Sequence, residues 1–271
     1  RHSRLRRESA ATDGSQSTGY DRLINTPWIA ATWQFNPQTM AYASYGEGVE
    51  SVVAPGRSRY TNAGQPLPAL RSRQTELGVK NQTDRATWSA TVFDITRPLW
   101  GDAGSCDVAG SCTRQVDGEV RHRGLELAGG WQAGPWHLNG STTWLDAERR
   151  HAVINPDLNG KRPTNVPGWT LRAQVRYRLA AVPGLSVEGA LSHEGRRAVL
   201  PDESVMLPSW TRLDTALRYE TRLLGQRATW SLSVDNVANR RGFVESPYQY
   251  SHIYLFPAAP RTVRLGLHAG F

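Results

Sequence analysis

The sequence predicts an all-β protein, namely an antiparallel transmembrane β-barrel. Three observations support this fold class: stretches in which apolar and polar residues alternate, connections that are short and long in turn, and a modest apolar content. Only 39% of the 271 residues are hydrophobic, whereas ten are tryptophan and nine are tyrosine. This composition provides little material for a large packed core, but it suits a sheet whose single apolar face contacts lipid.

The strands are predicted from side chains that alternate with a period of two residues. In TLRAQVRYRL, every odd-numbered position from 171 to 179 is apolar or aromatic, and the even-numbered positions from 172 to 178 are arginine or glutamine. Charges at so many polar positions are costly in a dry core and favour a wet lumen. In chain order, about twelve strands are predicted: RHSRLRRE, PWIAATWQF, TMAYASYGEG, SRQTELGVK, ATWSATVFDI, RHRGLELAGGW, WHLNGSTTWLDAE, TLRAQVRYRL, GLSVEGALSHE, TRLDTALRYE, ATWSLSVDNV and RTVRLGLHAGF.

The connections between these strands alternate strictly in length. The short ones are NPQ, NQTDR, QAGP, AAVPG and LLGQR. The long ones are Ala11–Thr26, Val49–Ala69, Arg97–Gly118, His151–Pro167, Arg197–Pro208 and Ala238–Pro260. Outer-membrane barrels have this pattern, because their periplasmic turns are short and their extracellular loops are long.

Aromatic residues near the strand ends are typical of the girdles that barrels place at the two membrane interfaces. The candidates are Trp131, Trp136, Trp144, Tyr177, Trp210 and Tyr219. A soluble β-sandwich or propeller is the alternative fold, but it gives no reason for the alternating connections. No stretch reaches the roughly 20 apolar residues of a membrane helix, which excludes helical spans only.

The two cysteines, Cys106 and Cys112, stand close together in the polar segment SCDVAGSC. This isolated pair favours a local disulfide bond in an extracellular loop, and hence an oxidising compartment. A metal site is the alternative, but no histidine or second cysteine pair lies nearby in the sequence.

The formal net charge of +8 raises the question of a nucleic-acid partner. The basic residues are spread over alternate strand positions, and no recognition module is present. We therefore expect no nucleic-acid binding, and interpret the charge as a basic lumen and mouth that attract anionic ligands.

Several stretches, taken in order, resemble the C-terminal part of the barrel of TonB-dependent outer-membrane receptors, especially the ferric siderophore type. They are TMAYASYGEGVES, LRSRQTELGVKNQTDRATWSATVFDITRP, GEVRHRGLELAGGW, GKRPTNVPGWTLRAQVRYRL, LPSWTRLDTALRYE, WSLSVDNVANRRGF and APRTVRLGLHAGF. The resemblance implies that residues 1–271 are the C-terminal portion of a barrel of about 22 strands. On this interpretation the plug domain and the first half of the barrel are absent from the sequence.

The resemblance also implies the function. Such a receptor takes up ferric siderophores across the outer membrane of a Gram-negative bacterium, with energy from the TonB complex, and is neither an enzyme nor dependent on a cofactor. Alternatives are a receptor of the same family for haem or another metal chelate, a passive pore, and a phospholipase-like barrel enzyme. The enzyme alternative depends on Ser192 and His193, although adjacent strand residues point to opposite faces.

Ligand-binding candidates lie in two long connections that are rich in arginine and tyrosine. Aromatic faces suit the organic shell of a chelate, and arginine attracts a chelate of negative charge. The same side chains could instead stabilise the loops or contact lipopolysaccharide phosphates at the lipid surface. The candidates are Arg57, Arg59, Tyr60, Tyr248, Tyr250 and Tyr254.

The terminal residue, Phe271, is the last candidate. In the family that the sequence resembles, a terminal aromatic residue is a signal to the barrel-assembly machinery, which pairs with an exposed strand edge. The alternative is that Phe271 is only the last girdle residue at the periplasmic interface.

Overall fold

The structure, a computed structural model, describes residues 1–10, 16–246, 248–249 and 252–270. The side chains of residues 7–10, 16–20, 248–249 and 252 are not described. Two candidate residues, Tyr250 and Phe271, therefore lie outside the described residues, and so does the side chain of Tyr248.

The regular secondary structure of the described residues is β-strand apart from one short turn. The strands are β1 (His2–Ala10), β2 (Gln16–Asn25), β3 (Trp28–Asn36), β4 (Thr39–Glu50), β5 (Leu70–Gln82), β6 (Ala86–Gly104), β7 (Cys112–Ala133), β8 (Trp136–Arg150), β9 (Trp169–Arg178), β10 (Leu185–Glu194), β11 (Arg197–Ala198), β12 (Met206–Leu207), β13 (Trp210–Leu223), β14 (Gln226–Asp235), β15 (Phe243–Glu245), β16 (Tyr248–Gln249), β17 (His252–Ile253), β18 (Phe256–Pro257) and β19 (Thr262–Ala269). One 3₁₀ turn, Pro156–Leu158, interrupts them. Within the described ranges, no helix is both long and apolar enough to cross a membrane.

Eleven strands form one antiparallel sheet in the order β3-β4-β5-β6-β7-β8-β9-β10-β13-β14-β19. Strands that follow one another along the chain are therefore neighbours in space, as the sequence predicts. The other strands form two-stranded sheets in the connections, namely β1-β2, β11-β12, β15-β18 and β16-β17.

The first predicted strand does not join the eleven-stranded sheet. It is β1, which pairs along its length with β2, so most of the connection Ala11–Thr26 is strand rather than loop. Pro27 separates β2 from β3, because proline has no N–H to donate to a ladder. The sheet thus contains eleven of the expected strands, and the remaining one belongs to a separate hairpin.

All short connections lie at one end of the sheet and all long connections lie at the other, because consecutive strands are antiparallel. The two-residue turn between β13 and β14 has positive φ at both Leu224 (51°) and Gly225 (81°). These angles define a type I′ turn, whose twist matches that of the flanking strands. The predicted alternation of short and long connections is confirmed within the eleven-stranded sheet, whereas the first predicted long connection, Ala11–Thr26, consists mostly of β2.

The two faces of the sheet differ as the alternation requires. One face carries rows of apolar side chains, such as the cross-strand series Leu77, Val92 and Leu125, of which Leu77 is 58% exposed. The opposite face is concave and polar, and its lining includes Lys80 and Arg172. The structure therefore has the apolar surface and the polar surface that a barrel wall needs.

Aromatic residues form a band on the apolar face near the short turns. Trp136 and Tyr177 are cross-strand partners whose ring centroids lie 4.5 Å apart. The band is completed by Trp88, Trp131, Tyr219 and Trp230. Trp144 pairs with Trp169 nearer the long connections.

Trp210 does not belong to the girdle, contrary to the prediction. It pairs with Glu194 in the register that also pairs Ser192 with Arg212, so its side chain belongs to the polar, concave face. Proximity to a strand end suggested a girdle position, but the alternation along β13 assigns Trp210 to the other face.

Candidate ligand-binding rim

The long connections form a continuous set of segments at one end of the sheet, which we term the rim. It comprises residues 51–69, the β6–β7 hairpin beyond residue 97, and residues 151–168, 195–209 and 236–261. Hydrogen bonds join the first four of these segments in order, and a further bond joins residues 236–261 to residues 151–168.

Residues 51–69 are fixed to the β6–β7 hairpin by backbone pairing. The N–H of Thr61 donates to the carbonyl of Cys112 at 2.7 Å, and the N–H of Cys112 donates to the carbonyl of Arg59 at 3.0 Å. These bonds form a short parallel bridge centred on Tyr60 and Cys112. The loop is therefore held against the hairpin and does not extend freely from it.

Tyr60 is also fixed through its hydroxyl group, which donates to Asp102 Oδ2 at 3.0 Å. The other carboxylate oxygen of Asp102 accepts from Arg114 Nη1 at 2.8 Å, across the hairpin. Burial, together with the hydrogen bond to Asp102, raises the pKa of the Tyr60 phenol. The hydroxyl therefore stays protonated and remains a donor over the physiological range.

Cys106 and Cys112 form a disulfide bond near the tip of the hairpin, with their Cα atoms 4.8 Å apart. Arg59 Nη1 donates to the carbonyl of Cys106 at 3.3 Å. Asp102 lies with both sulfur atoms in a cluster 4.8 Å across, but disulfide sulfurs are not the thiolates that metal sites use. Asp102 and the disulfide therefore have a structural role: together they hold Arg59 and Tyr60 against the hairpin, and we term this contact the clamp.

Residues 151–168 are attached to the hairpin by a carboxylate. Asp117 Oδ1 accepts the N–H groups of Val153 at 2.7 Å and of Ile154 at 2.9 Å, and the Asp117 residue is buried. A carboxylate that accepts two backbone N–H groups satisfies donors that would otherwise be unpaired in a loop.

The same segment is joined to residues 195–209. The N–H of Arg162 donates to Glu203 Oε1 at 3.0 Å, and the N–H of Asn165 donates to the carbonyl of Ala198 at 2.8 Å. Asn165 Oδ1 also accepts the N–H of Ser246 at 3.1 Å. One asparagine thus connects three segments of the rim.

The candidate ligand residues are divided by these contacts into two groups. Arg59 and Tyr60 are half-buried and serve the clamp on the hairpin, whereas Arg57 is exposed beside them. Tyr254 lies just after β17 and is 45% exposed. Among the described residues, no hydrogen bond joins Tyr254 to the loop that carries Tyr60.

Sequence reasoning missed the residues that hold the rim together: Asp102, Arg114, Asp117, Asn165 and Glu203. The disulfide indicates a hairpin that contains Asp102 and Arg114, but not its register, since equal spacing from Cys106 and Cys112 would place Asp102 opposite Val116 rather than Arg114. No pattern in the sequence indicates Asp117 or Asn165, since their partners are backbone groups of other segments.

The structure separates the two residues of the hydrolase alternative. Ser192 pairs with Arg172 and Arg212 on the polar face. His193 is on the other face, where its ring lies 4.4 Å from that of Trp169 and its Nδ1 lies 2.7 Å from Thr211 Oγ1. The two side chains cannot form the nucleophile–base contact that such an enzyme requires.

A sequence model described as TonB dependent receptor-like, beta-barrel matches residues 1–237. The chain belongs to the TonB-dependent receptor family. The ferrichrome receptor FcuA of Yersinia enterocolitica is 30% identical over 236 residues, which cover 84% of this chain and 30% of that receptor.

Solved TonB-dependent receptors share the fold. The ferric preacinetobactin receptor BauA of Acinetobacter baumannii superposes with a TM-score of 0.77 at 24% identity, covering 94% of this chain and 38% of that one. The ferric yersiniabactin uptake receptor FyuA of Yersinia pestis gives a TM-score of 0.75 at 18% identity, covering 100% and 41%. The chain therefore spans well under half the length of these proteins.

Membership of the TonB-dependent receptor family settles the class and location. These proteins are β-barrel receptors of the Gram-negative outer membrane rather than enzymes. The short-turn end of the sheet then corresponds to the periplasmic side, and the rim corresponds to the extracellular side.

Proposed function

We propose that the chain is the C-terminal part of the barrel of an outer-membrane receptor that takes up ferric siderophores with energy from the TonB complex. The observation that carries this proposal is the family match over residues 1–237, together with a connected rim at the extracellular end. The names of the similar proteins point the same way, since they are receptors for ferrichrome, ferric preacinetobactin and ferric yersiniabactin.

The direction of the two edge strands indicates what kind of segment must complete the barrel wall. The sheet has eleven strands, so its two edges, β3 and β19, run in the same direction. Closing these edges on each other, or on a second copy of the sheet, would create a parallel seam. A second segment with an odd number of antiparallel strands would close the wall without a parallel seam. About eleven such strands would complete a barrel of about 22.

In the proposed receptor, the rim supplies the barrel side of the ligand site. Arg57 and Tyr254 present a cationic and an aromatic surface for an anionic chelate with an organic shell. Arg59 and Tyr60 hold the loop that positions Arg57. Contact with the TonB complex and with a plug is assigned to parts of the receptor outside this chain.

Uptake of radioactive iron by iron-restricted cells tests this function. Deletion of the gene that encodes the chain should abolish uptake of one ferric siderophore, and the intact gene should restore it. Ferrichrome, a ferric catecholate, ferric citrate and haem form a suitable panel. Unchanged uptake of every ferric siderophore would refute the transport assignment, and selective loss of haem uptake would favour the haem alternative.

Substitution of Arg57 by alanine locates the ligand contact. Uptake at limiting ligand concentration should fall while the amount of receptor in the outer membrane stays constant. Arg85→Ala, in a turn at the opposite end of the sheet, is the matched control. Equal uptake by both variants would remove Arg57 from the ligand site.

A further inference from the structure

The concave face of the sheet consists of two sectors that differ in charge. On β3–β8, the charged residues of this face are Glu76, Lys80 and Glu126, with Glu50, Arg97 and Arg149 at the rim ends of the strands. On β9–β19 they are far more numerous: Arg172, Arg176, Arg178, Glu188, Glu194, Arg212, Asp214, Arg218, Glu220, Arg222, Arg227, Asp235 and Arg264. We term the concave face of β3–β8 the flat sector and that of β9–β19 the charged sector.

Aromatic rings in the flat sector lie across glycines of the neighbouring strand. Tyr42 is the cross-strand partner of Gly78, and a Cβ atom at Gly78 would collide with the Tyr42 ring. Phe93 covers its partner Gly124 in the same way. Each ring therefore covers backbone, and does not project into the lumen.

The polar groups of the flat sector are also held close to the wall. Lys80 Nζ lies 4.7 Å from the centroid of the Tyr42 ring, and the Tyr42 hydroxyl lies 2.9 Å from Thr91 Oγ1. Glu76 Oε1 accepts Gln74 Nε2 at 2.5 Å. Much of the remaining lining is small, namely Ser89, Ala128, Gly130 and Ser141. The surface has low relief and few charges to desolvate.

The charged sector has the opposite character. Glu188 Oε1 accepts Arg176 Nε at 2.8 Å and lies 3.0 Å from Arg218 Nε. The side chains of these two arginines are 47% and 49% exposed, and that of Arg264, paired with Asp235, is 65% exposed. A protein surface packed here would have to remove many charges from water, which is costly unless each gains a new partner.

The lengths of similar receptors leave room for a segment that is not barrel wall. The part of FyuA that matches this chain makes up 41% of that receptor, so a wall of two such halves would use about four-fifths of its length. Roughly a fifth remains, and barrels of about 22 strands have a filled lumen.

We propose that a folded segment of the same receptor, from outside this chain, packs against the flat sector and leaves a water-filled lane along the charged sector. The segment gains close contact where relief and charge are low, and the arginines opposite keep their water. This inference rests on the proposed receptor for the presence of such a segment, and it is independent of which ligand is transported.

A matched pair of serines tests the asymmetry in the purified full-length receptor. Ser141 is five residues after Trp136, where β8 begins, and Ser231 is five residues after Gln226, where β14 begins. Each is the cross-strand partner of an arginine, Arg172 or Arg218, so the two introduced thiols have similar electrostatic surroundings. Cys106 and Cys112 are joined and contribute no free thiol.

The rate of labelling by a hydrophilic maleimide is measured for Ser141→Cys and Ser231→Cys. Ser231→Cys should react about tenfold faster or more, since a thiol covered by packed protein is inert. The isolated wall favours the reverse order, because Ser141 is exposed and Ser231 is half-buried. In denaturant the two rates should become equal, which controls for thiol reactivity.

Equal rates in the folded receptor would overturn the proposal: both fast would show an open lumen, and both slow a lumen filled on every side. Faster labelling at Ser141→Cys would place the segment on the charged sector instead. Ser89→Cys and Ser233→Cys form a second pair on the same two sectors if a variant fails to assemble. Siderophore uptake is not measured, so a failure here is distinct from a failure of the transport assignment.

Discussion

The two halves of the wall reach the rim in different ways. Strands β6 and β7 have 19 and 22 residues and continue as a paired ladder far beyond the membrane height. Strands β9, β10 and β14 have ten residues each and end near the interface. Beyond them, single side chains make several of the bonds that hold the chain. Asn165 accepts the N–H of Ser246 in another segment, and Asn236 donates to the carbonyls of Arg240 and Ala259 within its own segment.

The difference shows where single substitutions matter. A ladder distributes its hydrogen bonds over many residues, so that removal of one side chain leaves the rest in place. A loop held by a few buried side chains loses several bonds at once when one of them is removed. We therefore expect the β9–β19 side of the rim to be more sensitive to substitution than the β6–β7 side.

The largest effect is expected at the end of the short-strand region. Deletion of Phe271 from the full-length receptor should lower the amount of heat-modifiable barrel in the outer membrane several-fold while synthesis is unchanged. Loss of girdle burial alone would cost about 1.5–3 kcal/mol, which a large barrel tolerates. Normal assembly with only a lower melting temperature would leave the girdle interpretation and exclude the assembly signal.

A matched pair of asparagines tests the comparison directly. Asn236 is buried, donates to the carbonyls of Arg240 and Ala259 at 2.9 Å, and accepts the N–H of Arg240 at 2.8 Å. Asn236→Ala should destabilise residues 238–261 by about 1–3 kcal/mol for each buried group left unpaired. Faster hydrogen exchange confined to that segment would be the signature.

Asn62 provides the control on the β6–β7 side of the rim. Its side chain donates to the carbonyl of Arg114 at 2.8 Å and accepts the N–H of Arg114 at 3.1 Å. Asn62→Ala should have a smaller effect on exchange in residues 51–69, because the backbone bonds between Thr61 and Cys112 remain. Equal acceleration in both variants would contradict the distinction between ladder and side-chain support.

The disulfide bond should have an intermediate effect. Peptide mapping without reduction should find Cys106 and Cys112 joined, and the double variant Cys106→Ser/Cys112→Ser should lose about 2 kcal/mol of local stability, as expected for a short closed loop. The ladder that begins at Gly104 and Cys112 should persist. Two free thiols in the mature receptor would refute the bond.

Tyr60→Phe should have the smallest effect. It removes the donor to Asp102 and should cost about 1 kcal/mol, since Asp102 keeps Arg114 as a partner. Hydrogen exchange of residues 51–69 measures this cost, with Tyr254→Phe as a control because Tyr254 is largely exposed. A global loss of stability would show that Tyr60 does more than position its loop.

The wall could be predicted from the sequence because every strand in it alternates. TLRAQVRYRL became β9 and RTVRLGLHAGF became β19, with the expected residues on each face. The segment QSTGYDRLIN lacks this alternation, so β2 was hidden in a connection. Trp210 was expected in the girdle because it lies near a strand end, but the alternation along β13 places it on the polar face.

The rim could be predicted only as a set of long connections. Arg59 and Tyr60 were chosen for their chemistry, but what they do depends on Asp102 and Cys106, to which residues 51–69 are brought by tertiary packing. Contacts of this kind leave no period in the sequence. The local pair Cys106 and Cys112 was the exception, because its partners are close along the chain.

The bonds of Asn165 give the rim a mechanical property. Its backbone N–H and side-chain oxygen bind two different segments, Ala198 and Ser246, and it belongs to a third. A force that a bound molecule applies to any one of these loops is shared by the other two. We therefore expect a displacement of one of these loops to be transmitted to the other two.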